Sequence, residues 1–362
     1  MTETGGIFLI RRPDDWHVHL RDKHLLQAVA RYTARQFGRA IIMPNLDPPI
    51  TTRKQLREYR QRIKEATWKF PDFDPKMTLY LTDNLDINEL VGAFQSGEAL
   101  AVKLYPQGAT TNSDLGVTSI KKVYPVIEVM QKIGMPFCIH GETVWKDGEE
   151  VYGPDREAVF IEYELIPLMH DFPELKIVFE HVTTKEAVEF VMSVNKYLGA
   201  TITAHHPFLN GNILRRGGFH PHDYCLPEAK KVRDQLAVRS AAVSGDPRFF
   251  AGTDSAPHLV RSKESACCPG GVFTAPAALE LYAQLFDEED ALDRLEAFVS
   301  EHGALFYGLP LNTETVMLTK KPWDVDMVDV PEAEDTVRPF MWRNKQEREK
   351  GPEGPIKWRM VD

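Results

Sequence analysis

The run His17-Val18-His19-Leu20-Arg21-Asp22 follows the apolar residues Ile7 to Ile10 and a turn-like Pro13-Asp14-Asp15. On a strand, the two-residue period sends His17, His19 and Arg21 to one face and Val18 and Leu20 to the other. Two imidazoles so placed suit one metal ion held through ring nitrogens, zinc above all. An arginine is no metal ligand, but one pleat further on it can fork onto a carboxylate beside the ion. A lone His-x-His is more often a solvated edge strand, so the weight falls on what the rest of the chain brings beside it.

Short apolar runs recur at 39–44, 77–82, 100–105, 136–140, 176–181, 200–205 and 249–254. Helix-compatible stretches lie between them, among them 52–64, 87–96, 123–133 and 185–196. Runs of this kind suit strands covered on both faces, as in a parallel sheet. With the His17 strand, eight repeats predict an α/β fold, a (β/α)8 TIM barrel over residues 1–310. Such barrels gather their chemistry at the C-terminal ends of the strands. Residues 311–362 read as a short C-terminal extension packing on the barrel. Within it, 315–319 adds a strand, and the charged, Gly- and Pro-containing 344–354 is expected to be mobile.

The expected strand ends carry Asn45, Lys103, His140, His181 and Asp254. Any one of them alone is better explained as a hydrogen-bonded rim residue, but several at one topological position are not. Four imidazoles and a carboxylate exceed what one tetrahedral ion with an open position needs, which points to two metals. A metal pair calls for a bridging anion besides hydroxide, and no Glu or second Asp is read at the strand ends to provide it. Lys103 fills that gap if CO2 converts its neutral amine to a carbamate. The other reading is a buried lysine paired with an acid. Four histidines around it favour the carbamate.

The 362 residues are 43% hydrophobic and 27% charged, with a formal net charge of -10, which describes a soluble globular chain with a large core. That acidic balance argues against nucleic acid or an anionic membrane as partner, so an anionic substrate needs a local cationic pocket. No apolar run approaches the roughly 18 residues of a membrane span, and the N-terminus lacks a signal-peptide pattern. Cys138, Cys225, Cys267 and Cys268 are too few for a disulfide framework. A reducing cytoplasm is the compartment expected, with Cys138 a buried core thiol.

Taken in order and spacing, several motifs resemble the dihydroorotases, in their single-function, barrel-only form within the amidohydrolase superfamily. They are His17 to Asp22, Met43-Pro44-Asn45, Val102 to Tyr105, Ile139 to Glu142, Phe179-Glu180-His181 and Gly252 to His258. The resemblance spans about residues 11–310. It implies two zinc ions, with His17 and His19 on the more buried one, His140 and His181 on the more exposed one, and N6-carboxylated Lys103 bridging them. Asp254 would ligate the first zinc and act as general acid/base, with a metal-bridging hydroxide as nucleophile in the hydrolytic direction. Arg21, Asn45 and His258 match the positions that hold the substrate carboxylate. Leu226 and Gly270 match backbone contacts to the ring, and Thr110 and Thr111 a loop that closes over it. The implied reaction is the reversible cyclisation of N-carbamoyl-L-aspartate to L-dihydroorotate in pyrimidine biosynthesis, by a cytoplasmic homodimer acting on this small molecule. The rivals are another cyclic amidase of hydantoinase or allantoinase type, and a non-catalytic scaffold relative. His24, His170, His205, His206, His220, His222 and His302 are left without a metal role.

Overall fold

The computed structural model describes residues 7–194, 196–213, 217–350 and 354–361. Eight strands lie in chain order in one parallel sheet: β1 (Asp14–Val18), β2 (Arg39–Ile42), β3 (Asp74–Tyr80), β4 (Ala101–Leu104), β5 (Phe137–Ile139), β6 (Ile177–Phe179), β7 (Leu198–Ile202) and β8 (Phe249–Ala251). All except β3 are buried along their whole length, as strands covered on both faces must be. Hydrogen bonds close the ring just past β8. Asp254 N donates to the His17 carbonyl at 2.9 Å and His19 N to the Ser255 carbonyl at 3.0 Å. The Asp15 carboxylate accepts from Thr253 N at 2.8 Å and Thr253 Oγ1 at 2.6 Å. The fold is a (β/α)8 barrel.

Helices cover the outside: α1 (Lys23–Gln36), α2 (Arg53–Ala66), α3 (Ile87–Gln95), α4 (Tyr124–Ile133), a continuous α5 (Arg156–Phe160, Ile161–Leu165 and Ile166–Asp171), α6 (Lys185–Ser193), α7 (Val232–Ala242) and α8 (Ala278–Glu288). Their starts carry local signals. Thr52 and Gln55 form a reciprocal capping box on α2, and the Thr184 side chain accepts from Ala187 N at the start of α6. Inside the barrel, Trp16 stacks on Tyr307 at 4.8 Å between ring centroids and packs in one cluster with Ile41, Met43, Cys138, Val178 and Phe250. Cys138 is thus the core thiol expected.

The first strand departs from expectation. Pro13-Asp14-Asp15 is not a turn, since β1 starts at Asp14 and stops at Val18. Both carboxylates tolerate full burial because each is paired, Asp14 with Arg39 at 2.9 Å and Asp15 with Thr253. Arg21 therefore lies beyond the strand, with φ at +59°, and not one pleat further along it.

Thr315–Thr319 forms the strand expected of the extension, and it pairs antiparallel with both Ile7–Arg11 and Arg359–Val361. The stretch 344–354 includes a helix at Lys345–Lys350, entered through reciprocal bonds between Asn344 and Glu347; residues 351–353 lie outside the described ones. Among the described residues, no helix is long and apolar enough to cross a membrane.

Candidate active site

At the C-terminal ends of the strands lies a cleft lined by His17, His19, Arg21, Asn45, Thr110, Thr111, His140, His181, Leu226, Asp254 and Gly270, joined by Tyr105, Ala256 and Gly271. Of the residues singled out in the sequence, only Lys103, which is fully buried, and His258, which lies beside Arg21, are absent from this lining. Backbone strain is present here. Arg21, His181 and Asp254 adopt φ of +59°, +44° and +47°, a region that costs a non-glycine residue about 1–2 kcal/mol. Asp254 is held there by its bond to His17, and His181 by a 2.7 Å bond from its N to Thr201 Oγ1.

Three donor atoms, His17 Nε2, His19 Nε2 and Asp254 Oδ1, form a triangle with all sides 3.3 Å. A tetrahedral ion about 2.0–2.1 Å from each ligand sets its donors about 3.3–3.4 Å apart, so the triangle is one face of such a shell. His140 Nδ1 and His181 Nε2 form a second pair 3.2 Å apart. Two of the far nitrogens face carboxylates. His17 Nδ1 lies 3.1 Å from Glu180 Oε1, and His140 Nε2 lies 2.8 Å from Glu142 Oε2. Carboxylates in these positions fix which imidazole nitrogen faces inward, the usual support of metal-binding histidines.

The electrostatics point the same way. Burial alone would lower the His17 pKa, yet Glu180 and Asp254 outweigh it and raise it to about 9. Burial would also raise Asp254, but hydrogen bonds from His17 and His19 hold it well below the usual carboxylate range. A site that draws a proton onto a fully buried imidazole suits a cation. Burial, then the neighbouring Arg21 guanidinium, depresses His19 to about 4, which leaves it a neutral ligand.

One expectation needs correction. An acid does stand at a strand end: Glu180 follows β6, is fully enclosed, and touches both His17 Nδ1 and the Lys103 ammonium. In an ideal strand Glu180 would alternate away from His181, whereas the positive φ at His181 breaks that alternation. Lys103 is accordingly seen as a buried lysine ion-paired with an acid. Asn45 lines the cleft and is tied to the neighbouring loop, for its side chain donates to the Thr111 carbonyl at 2.9 Å and its own carbonyl accepts from Asn112 Nδ2 at 2.9 Å. The 105–116 loop thereby lies across the cleft mouth.

Arg21 Nε donates to the Pro257 carbonyl at 3.0 Å, and its Nη2 stands 2.9 Å from His258 Nε2, which is also 3.1 Å from the Gly270 carbonyl. His205, His206 and Cys225 make a further buried group whose candidate ligand atoms lie within 4.8 Å of one another. Both His206 ring nitrogens are already engaged there, Nδ1 with Thr203 Oγ1 at 2.9 Å and Nε2 with the Pro227 carbonyl at 3.1 Å. Sequence reasoning gave no role to Glu142, Lys230 or Lys263. Glu142 sits inside a quoted motif, and its place two residues after His140 was the available signal.

The model of the amidohydrolase family matches residues 5–330, and the chain belongs to that family. It is 52% identical over 331 residues to a dihydroorotase of Nitrosococcus oceani, spanning 91% of this chain and 95% of the relative. Within the family it is one of the dihydroorotases. Two solved structures agree. The dihydroorotase of Campylobacter jejuni is 33% identical with a TM-score of 0.87, over 100% of this chain and 99% of that one. The dihydroorotase of Saccharomyces cerevisiae, solved with 5-fluoroorotic acid, is 31% identical with a TM-score of 0.88, over 98% of each chain.

Proposed function

We propose that the chain interconverts L-dihydroorotate and N-carbamoyl-L-aspartate, hydrolysing a ring amide in one direction and closing it in the other. The observation that carries this reading is the presence, in one cleft, of the His17–His19–Asp254 donor triangle and the Arg21 guanidinium. The triangle suits a metal that activates water against an amide, and the arginine a substrate carboxylate. The yeast relative's ligand is a pyrimidine carboxylate of the kind Arg21 would hold.

In this reading two zinc ions would be held by His17, His19 and Asp254 and by His140 and His181, with a Lys103 carbamate as a further ligand. Metals there supply an activated water and polarise the ring carbonyl. Lys103 must leave its ion pair with Glu180 to carry CO2, since the carbamate forms on a neutral amine; Glu180 then remains the partner of His17 Nδ1. Asp254 accepts the proton of the attacking water and delivers it to the ring nitrogen as the C–N bond breaks. Arg21, His258 and Asn45 hold the carboxylate, and for this Asn45 Nδ2 exchanges the Thr111 carbonyl for the substrate. Leu226 and Gly270 bound the ring through their backbone, while Thr110 and Thr111 close off water. On the family resemblance we also take the protein to be a cytoplasmic homodimer, for which light scattering should give twice the chain's 41.2 kDa.

The test is turnover of both carboxylates by zinc-loaded protein, with hydantoin and allantoin alongside. Reaction of dihydroorotate and not of the uncharged rings is expected. Turnover of the uncharged rings alone would overturn the roles of Arg21, Asn45 and His258. No turnover at all, with zinc bound, would favour a scaffold role.

A further inference from the structure

Lys263 ends the short helix Val260–Lys263 and is 2% exposed. Its ammonium donates to three backbone carbonyls, Tyr224 at 2.9 Å, Pro269 at 2.8 Å and Gly271 at 2.9 Å. An ammonium has three N–H donors and all are used, so none is left for a substrate. The carbonyls belong to two segments that a bond from Gly271 N to the Tyr224 carbonyl at 3.0 Å also joins. Those segments are the cleft walls. Leu226 lies two residues past the first anchor, and Gly270 sits between the other two.

We propose that Lys263 is a positioning residue, clamping the Tyr224–Leu226 and Pro269–Gly271 segments at the spacing that receives the substrate ring. The proposal rests on the dihydroorotase reading above. Two features of the walls support it. First, in a trans peptide the N–H points opposite to the C=O, so turning the Pro269 carbonyl onto Lys263 turns the Gly270 N–H away from it, while Gly270 itself lines the cleft. Secondly, the walls meet without slack: a Cβ at position 270 would come within 2.9 Å of Leu226 Cγ. The far side of Gly270 is likewise committed, its carbonyl lying 3.1 Å from His258 Nε2 and 3.4 Å from Thr111 Oγ1. One buried charge thus sets the wall that the carboxylate-binding histidine and the closing loop both touch. Displacement of a positioned group by about 1 Å can cost on the order of 100-fold, so a modest relaxation here has a measurable effect.

The experiment is steady-state kinetics on L-dihydroorotate for the metal-loaded wild type and Lys263→Met, with bound metal and thermal midpoint measured on the same samples. A KM raised about 10-fold or more, with kcat within about threefold and metal content unchanged, is the expected result. A lowered midpoint with wild-type KM would make Lys263 a fold-stabilising residue only and overturn the proposal, as would a fall in kcat through metal loss at unchanged KM. If Lys263→Met does not fold, Lys263→Gln, which keeps two donors and loses the charge, is read in the same way. Wild-type protein that leaves dihydroorotate untouched would mark failure of the underlying reading, separately from failure of the clamp.

Discussion

Arg21 and Lys103 are the two cations at the heart of the site, and they are held differently. Arg21 has its Nε–H committed to the Pro257 carbonyl, which aims the guanidinium in the cleft that it lines. Charge-assisted hydrogen bonds contribute about 1.5–3 kcal/mol, so Arg21→Ala should lower kcat/KM for dihydroorotate roughly 10- to 150-fold without loss of metal. Kinetics beside metal analysis checks this, and loss of metal would show that the side chain supports the histidines instead. Lys103, paired with Glu180, becomes an anionic bridge only by modification. Lys103→Ala is expected to lose metal and activity together, with short carboxylic acids restoring part of both; full activity without rescue would sink the carbamate. The His and Asp positions were legible because their residue types recur where apolar runs end, whereas Arg21 lies past its strand, where the two-residue period no longer holds. Glu180 and Lys263 were not, for a buried charge has meaning only beside its partners, and Glu180's partner Lys103 is 77 residues distant.

At the scale of elements, the separation of β5 and β6 decides whether His140 and His181 converge. Gly141 follows His140 directly, and a Cβ there would lie 1.8 Å from the Cε2 atom of Phe179, the fully buried last residue of β6. Gly141→Ala must therefore displace the Phe179 ring or the strand end that carries it, against an overpacking cost of about 1–3 kcal/mol. The expected outcome is a lower urea midpoint together with weaker metal binding, read by titrating metal-free protein. Unchanged binding would mean that the His140–His181 spacing of 3.2 Å is not what selects the ion. The eight strands were readable from their continuous apolar runs. The start of β1 was not, because its two acids resemble a turn until Arg39 and Thr253 are placed beside them. The closing loop could be recognised from its small polar residues, but not its tie to Asn45, which joins segments 66 residues apart.

For the whole molecule, the question is how the chain's two ends are bound to the barrel. Ile7–Arg11 and Arg359–Val361 both pair with Thr315–Thr319, and the extension is fastened to α8. Met360 N donates to Glu280 Oε1 at 3.2 Å, Lys357 N to Gln284 Oε1 at 3.0 Å, and Trp358 Nε1 to Asp287 Oδ2 at 3.2 Å. Glu280 is fully buried, and its Oε2 has no hydrogen-bond partner among the described residues. Burial raises its pKa from 4.5 to about 7. Between those values the unfolded chain releases this proton while the folded protein keeps it. Its contribution to stability is therefore complete below about pH 4.5, falls as pH rises to about 7, and is flat above. The displacement corresponds to a loss on the order of 3 kcal/mol. Glu280→Gln keeps an acceptor for Met360 and cannot ionise, so it should be more stable than wild type at pH 8, with the advantage shrinking toward pH 5. Asp15 is raised to about 7 as well, so the difference between variant and wild type, and not the wild-type curve alone, isolates Glu280. Urea unfolding at pH 5, 6, 7 and 8 measures that difference. An advantage independent of pH would mean that Glu280 is not held protonated beneath the C-terminal strand, and that water reaches the seam between the extension and α8.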